Sequence, residues 1–269
     1  MTAPLLALGL GLAAGAHTAT WGMYKDAPHE GFTWRRYARS IVLSGAIAPA
    51  LHLALGLNPK HAAGAVVLFG LTYACERGLV EFYKTFLREQ DQSKYTIPMQ
   101  FAVFGRVVES RRVRHAVGAA VATVAVALAA TVWQLPRPGS TPARWLALAA
   151  AGSAGGWFSA FGGAWKDAPI EGFDWFKFFR SPGIALGWAL VVSRFTDNYL
   201  VIALPALGYT IMTIETYKTF FFPNKPRGKF AGKPVLFPAM LTWRKRFVPL
   251  YAAVWAMVVG LLAAALMGR

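Results

Sequence analysis

A charged motif occurs twice in this chain, and its residue types suit a site for a phosphate group and a metal ion. Residues 25–40 read KDAPHEGFTWRRYARS, and residues 166–181 read KDAPIEGFDWFKFFRS. Each copy places two carboxylates near a lysine and an arginine. Carboxylate oxygens are ligands that Mg²⁺ prefers, and Mg²⁺ in proteins is usually shared with a substrate phosphate, which lysine and arginine bind. The motif therefore predicts a magnesium and phosphate site.

Two further matching segments add a glutamate and a lysine to each copy of the motif. Residues 81–86 read EFYKTF, and residues 215–220 read ETYKTF. Because both segments follow the motif in the same order, the repeated unit is about half of the chain. Half of the twelve acidic residues stand at duplicated positions. These predicted metal ligands are Asp26, Glu30, Glu81, Asp167, Glu171 and Glu215.

The phosphate side of the predicted site consists of basic residues and of serines that could cap a helix. Residues 224–234, NKPRGKFAGKP, contain no acidic residue, whereas the corresponding residues 88–98 include Glu89 and Asp91. If only one copy is the working one, we therefore expect it to be the second, although a loop held near anionic lipid would carry the same lysines. The predicted phosphate ligands are Lys25, Arg39, Ser40, Lys84, Lys166, Arg180, Ser181, Lys218, Arg227, Lys229 and Lys233.

Prolines and serines within the motif predict where the neighbouring helices end and begin. Pro28 and Pro169 cannot donate a helix hydrogen bond, so residues 25–31 and their counterparts are expected to form a turn that leaves a helix. Ser40 and Ser181 are expected to be the N-caps of the next helix. The free N–H groups of such a helix start would bind an anion beside the arginine that precedes each serine.

A purely structural role for these charges stays open, because acidic and basic residues at a membrane interface often pair only with each other. The pairs expected in that case are Lys25 with Asp26, Arg39 with Glu30, and Glu81 with Lys84. The cost of placing ionisable groups near a membrane core favours a functional role instead. Glu76 has no obvious partner in the sequence and is a candidate for a site inside the helix bundle.

The elements that must position these residues are membrane-spanning helices. Of all residues 56% are apolar and 15% are charged, against roughly 25% charged residues in a soluble domain. We predict an all-α integral membrane protein with about eight transmembrane helices, arranged as two tandem four-helix repeats over residues 1–141 and 142–269. The predicted spans are residues 3–22, 41–57, 62–83, 115–134, 143–164, 183–196, 199–217 and 248–267.

The number of helices per repeat predicts how the two halves are related. An even number keeps both motif copies on the same side of the membrane, so we expect a parallel pseudo-two-fold axis along the membrane normal. The first helix of each repeat carries small residues at four-residue spacing, Gly11 with Gly15 and Gly152 with Gly156. Such residues let helix backbones approach closely, and we expect these two helices to be central.

The distribution of basic residues predicts the orientation of the chain. Most of the 28 lysine and arginine residues lie in connections one, three, five and seven between the predicted spans. By the positive-inside rule these connections are cytoplasmic and both termini are not. We expect a multi-pass protein of the cell membrane, in a bacterial inner membrane. This placement accounts for the formal net charge of +16 without nucleic acid as a partner.

The order of the features adds a resemblance to a known family. Residues 30–35, EGFTWR, are followed by two helices, by a lysine near the end of a helix, and by a basic loop with Gly-Lys-Pro at residues 232–234. This order resembles CDP-archaeol synthase, a CTP-using lipid cytidylyltransferase. The resemblance implies an enzyme that acts on a lipid at the cytoplasmic headgroup level.

Three classes of function are consistent with these features. The first is a Mg²⁺-dependent transferase of phospholipid metabolism that binds an anionic phospholipid or a nucleotide-lipid. The second is a transporter or flippase, and the third is an accessory or structural subunit of a membrane complex. The expected partners are membrane lipids and, for the third class, other membrane subunits. A transporter would place polar groups near the bilayer midplane, so the charged cluster at one edge favours the lipid site.

Overall fold

The computed structural model of this protein describes residues 1–136, 140–223 and 228–268. The chain is almost entirely helical, which confirms the all-α prediction. Its α-helices are α1 (Ala3–Glu30), α2 (Trp34–Leu55), α3 (Ala62–Phe82), α4 (Arg111–Trp133), α5 (Thr141–Glu171), α6 (Trp175–Val192), α7 (Tyr199–Thr216), α8 (Ala239–Trp243) and α9 (Val248–Met267).

Short irregular elements extend or connect these helices. The π-helical turns Tyr83–Leu87 and Tyr217–Phe221 continue α3 and α7, so both duplicated EFYKTF-type segments end a helix in the same way. Turns of 3₁₀-helix cover Gly228–Phe230 and Arg244–Phe247. The sequence predicts no strands, but β1 (Ala102–Val103) and β2 (Arg106–Val107) form a small antiparallel ribbon through a turn with Gly105 at φ +78°.

Six of the described helices are long and apolar enough to cross a membrane, as expected of a multi-pass membrane protein. Their bounds are Ala3–Glu30, Trp34–Leu55, Ala62–Leu87, Arg111–Trp133, Tyr199–Phe221 and Ala239–Met267. The predicted span 143–164 lies within α5, and the predicted span 183–196 extends four residues beyond α6; neither helix is among the six. Many glycines and alanines dilute the hydropathy of α5, and α6 carries Lys177 and Arg180 in only 18 residues.

The middle of the bundle is the contact between α3 and α7. A Cβ atom on Gly208 would overlap the carbonyl oxygen of Gly70, so the two backbones touch. Helices α1, α2 and α9 pack on α3, and helices α5 and α6 pack on α7. The expectation that α1 and α5 are central was therefore wrong. Small residues are needed where any two helices cross closely, and here Gly70 and Gly208 serve the central pair.

The glycines at four-residue spacing do mediate close packing, as the sequence predicted. A Cβ atom on Gly11 would lie 2.8 Å from Cβ of Ala48, and one on Gly15 would overlap the carbonyl oxygen of Ser40. The crossing of α5 with α6 uses the residues at the corresponding sequence positions of the second repeat. There Gly152 meets Ala189, and a Cβ atom on Gly156 would lie 2.5 Å from the carbonyl oxygen of Ser181.

Residues 25–30 belong to α1 rather than to a turn, so the predicted end of this helix was wrong. Helix α1 continues to Glu30 and stops at Gly31, whose φ is +74°. Pro28 leaves the carbonyl oxygen of Tyr24 without its helical partner. The Nη1 atom of Arg244 donates a hydrogen bond to this oxygen at 2.6 Å. The contact replaces the bond that the proline removes, and α5 likewise continues past Pro169 to Glu171.

The predicted N-caps were also wrong. Helix α2 begins at Trp34, where the side chain of Thr33 accepts a hydrogen bond from the N–H of Arg36 at 3.4 Å. Helix α6 begins at Trp175, where the carboxylate of Asp174 accepts from the N–H of Lys177 at 3.1 Å. Ser40 and Ser181 therefore lie inside helices, buried at the crossings with α1 and α5, where they offer no free helix start to an anion.

Candidate functional site

The four odd connections meet at one end of the bundle, which we call the charged end. The Nζ atom of Lys25 lies 3.8 Å from a carboxylate oxygen of Glu215, and the Nε1 atom of Trp165 donates to the carbonyl oxygen of Ala102 at 3.0 Å. The even connections four and six meet elsewhere, where the side-chain nitrogen of Asn198 donates to the carbonyl oxygen of Trp133 at 3.4 Å. The duplicated charges therefore share one face of the protein.

The first motif copy lines a cavity of about 360 Å³, the first pocket. Helix α1, the start of α2 and the end of α3 form its walls. The charged residues of its lining are Asp26, Glu30, Arg36, Arg39, Arg77, Lys84, Arg88, Glu89 and Lys229.

An ammonium group from connection seven closes the first pocket. The Nζ atom of Lys229 lies 2.9 Å from Asp26 and 3.3 Å from Glu30, while the hydroxyl of Tyr95 donates to Glu30 at 3.0 Å. Arg36 completes the set at 3.4 Å from Glu30. Burial disfavours the charged ammonium, but the two carboxylates outweigh it and raise the pKa of Lys229. Asp26 and Glu30 thus both form ion pairs within the chain.

The glutamate that ends α3 is also satisfied. Glu81 forms an ion pair with Arg77 and accepts a hydrogen bond from Lys84 at 2.9 Å. The pair of Glu81 with Lys84 is one that a structural role predicts. The described residues do not contain the other two expected pairs, because Lys25 reaches Glu215 and Glu30 binds Arg36 instead.

The second motif copy lines the second pocket, two adjoining cavities of about 550 and 190 Å³ that share most of their charged residues. Five charged residues of the two linings stand at positions that match charged residues of the first pocket in the duplicated segments. They are Asp167, Glu171, Lys177, Arg180 and Lys218. The larger cavity also reaches Lys25, His29 and Arg244 from the first half and the end of the chain.

The acidic residues of the second pocket are less completely paired than those of the first. Lys177 lies 3.2 Å from Glu171, as Arg36 does beside Glu30. Glu215 is 3.8 Å from both Lys25 and Lys218. Asp167, the counterpart of Asp26, has no hydrogen bond or ion pair with any residue that the structure describes. The second pocket therefore combines several cationic side chains with a carboxylate that has no ion pair among the described residues.

The predicted site residues divide between the two pockets and positions outside them. Lys229 lies in the first pocket rather than the second, and Ser40 and Ser181 form parts of the pocket walls. Lys166 contacts the sulfur of Met99 at 3.4 Å, and Lys233 donates to the carbonyl oxygen of Ser93 at 3.0 Å. Arg227 lies outside the described residues.

The six predicted metal ligands are divided between the two pockets and the ends of α3 and α7, and magnesium binding stays a prediction. Among the described residues no three side chains of the His, Cys, Asp or Glu type come together as metal ligands. Five of the six carboxylates instead form ion pairs with lysine or arginine. The pairs are Asp26 with Lys229, Glu30 with Arg36, Glu81 with Lys84, Glu171 with Lys177 and Glu215 with Lys25.

Sequence reasoning missed several residues of the two pockets. Arg36 and Lys177 stand at matching positions of the motif, so the duplication itself signalled them. Tyr95 and Arg244 carry no such signal, because their partners Glu30 and Tyr24 are far away in the chain. Only the packing of connections three and seven against α1 brings these groups together.

No protein-family model matches the chain, and neither a curated protein nor a solved structure is significantly similar to it. The fold and the apolar helices define the class as a multi-pass membrane protein. The resemblance to CDP-archaeol synthase stays a prediction.

Proposed function

We propose that this protein binds a phosphate-bearing lipid headgroup in the second pocket, at the level where the bundle leaves the membrane. The observation that carries the proposal is the chemistry of the larger cavity. Its lining places the cations Lys25, Lys218 and Arg244 beside the apolar side chains of Phe222 and Leu241. A ligand with an anionic head and an apolar tail suits such a lining, and a volume of about 550 Å³ is typical of ligand sites.

The proposal includes eight membrane spans in two tandem four-helix repeats with a parallel pseudo-two-fold relation. Matching glycine contacts in the α1–α2 and α5–α6 crossings support the repeat. Two pockets with matching charged positions support it independently. Because the basic connections gather at the charged end, we place that end in the cytoplasm of a bacterial cell and both termini on the other side.

Within this function we favour a transferase of phospholipid metabolism, as the resemblance implies. Asp167 supports the choice, since a carboxylate that has no ion pair among the described residues can accept a proton from the ligand. Magnesium would enter as a complex with the phosphates of a nucleotide or nucleotide-lipid.

A transporter is the second candidate, and a buried carboxylate in α3 favours it. Glu76 has no solvent exposure, and neither of its carboxylate oxygens has a hydrogen bond among the described residues. It lies near the middle of the helix that runs over Ala62–Leu87. Ionisable residues at such depth often mark the path of a proton or an ion.

Replacing one lysine in each pocket tests the lipid site. In Lys218→Gln the second pocket loses a cation, whereas in Lys84→Gln the matched residue of the first pocket is lost. We expect phosphatidic acid in nanodiscs to raise the melting temperature of the wild type and of Lys84→Gln, relative to phosphatidylcholine alone. The increase should be largely absent in Lys218→Gln. Equal increases in both variants would contradict a lipid site in the second pocket.

A further inference from the structure

In the first pocket the two carboxylates of the motif bind an ammonium group, and the corresponding carboxylates of the second pocket are suited to the same kind of group. We propose that the ligand of the second pocket carries a primary ammonium group in addition to its phosphate, as a phosphoethanolamine group does. The inference rests on the proposed function and narrows its ligand.

In the first pocket the bound cation is a primary ammonium. The Nζ atom of Lys229 lies within hydrogen-bond distance of both Asp26 and Glu30. The ring centres of Tyr95 and Phe230 are 5.2 and 4.7 Å from the same nitrogen, close enough for cation–π attraction. These contacts form a complete site for one –NH₃⁺ group, which offers three hydrogen-bond donors.

In the second pocket the two corresponding carboxylates have no such ammonium group from the described residues. Asp167 replaces Asp26, and Glu171 replaces Glu30. Glu171 keeps one basic partner, Lys177, just as Glu30 keeps Arg36. No described residue stands where Lys229 stands in the first pocket, and Asp167 is left without an ion pair. Among the described residues no cation pairs with Asp167, and a ligand can supply that cation.

The same cavity contains the groups that would bind the ligand's phosphate. Lys25 and Lys218 line it and each lies 3.8 Å from Glu215, and Arg244 lines it beside Tyr24. A zwitterionic ligand would place its phosphate on these cations and its ammonium on Asp167 and Glu171. Methyl groups on the nitrogen would remove hydrogen-bond donors, so we expect selectivity for a primary amine over methylated ones.

Melting temperatures in nanodiscs test the inference with the full-length protein. Phosphatidylcholine discs receive a small fraction of phosphatidylethanolamine or of its N,N-dimethyl derivative, which has the same phosphate but fewer donors. We expect the primary amine to stabilise the wild type by about 2–4 °C more than the dimethyl lipid. Asp167→Asn should remove this difference, while the matched variant Asp26→Asn should keep it and melt lower with every lipid.

The outcomes separate this inference from the proposed function. Equal stabilisation of the wild type by both amine lipids, or an unchanged difference in Asp167→Asn, would overturn the ammonium site. The proposed function survives that result if phosphatidic acid still distinguishes Lys218→Gln from Lys84→Gln. If no lipid stabilises the wild type, both ideas fail.

A soluble ligand distinguishes the possible sources of the phosphoethanolamine group. Free phosphoethanolamine is added to the protein in detergent, and its effect on the melting temperature is compared with that of the lipid. An effect as large as the lipid's identifies a soluble metabolite as the ligand, and a much weaker one identifies the lipid. An effect of inorganic phosphate equal to that of phosphoethanolamine would count against the ammonium site.

Discussion

Lys229 decides the chemistry of the first pocket, because its ammonium is the common partner of two carboxylates. Only 12% of its side chain is exposed, and 28% and 15% of those of Asp26 and Glu30. Removing the lysine would leave two largely shielded negative charges next to each other. Such uncompensated charges destabilise proteins far more than the loss of an exposed ion pair does.

Lys229→Ala is expected to destabilise the folded protein by about 2–3 kcal/mol, because both carboxylates lose a charged hydrogen bond. Ethylammonium added to the solution should restore part of the lost melting temperature, since it can occupy the vacated position. Tetramethylammonium, which has no N–H donor, serves as the control. Equal recovery with both salts would show that the effect is ionic screening and that the pocket has no preference for an amine.

At the scale of elements, the helix crossings depend on the absence of side chains at a few positions. Gly15 and Gly156 face the backbone of α2 and α6, respectively. Gly9 also lies in α1, but a Cβ atom there would meet nothing within 4 Å. The two kinds of glycine therefore differ in packing and not in helix propensity.

Gly15→Ala is expected to destabilise the protein by about 1–3 kcal/mol, because the added methyl group forces α1 away from Ser40. Gly9→Ala is the matched control, and we expect it to be neutral or to stabilise slightly, since alanine has the higher helix propensity. Thermal unfolding in one detergent measures both. Similar melting temperatures for the two variants would mean that α1 and α2 do not cross at Gly15 in solution.

The sequence predicted helix positions better than helix ends and partners. Apolar runs and basic connections located eight of the nine described α-helices and their common charged end, because hydropathy and charge act over whole segments. The end of α1 was missed because Arg244, from the other end of the chain, satisfies the carbonyl that Pro28 leaves free. The partner of Asp26 was missed for the same reason. Lys229 reaches it only after the connections have packed.

At the scale of the whole molecule, the odd connections meet at the charged end, so we expect all four of them to lie on one side of the membrane. In a variant with Cys75→Ala, a cysteine at Lys60 in connection two should react with an impermeant thiol reagent in intact cells. A cysteine at Ser93 in connection three should react only after the membrane is opened. Labelling of the Ser93 position in intact cells would reverse the proposed orientation.

Lys229, the lysine in the first pocket, also affects how many ligands one polypeptide is expected to bind. Lys229 is attached to the chain, so its effective concentration at Asp26 and Glu30 exceeds what a free competing amine reaches in a cell. Two pockets with matching carboxylates would otherwise bind two ligands. In this protein Lys229 occupies the carboxylates of one pocket, so the proposed function predicts saturation at one ligand per polypeptide.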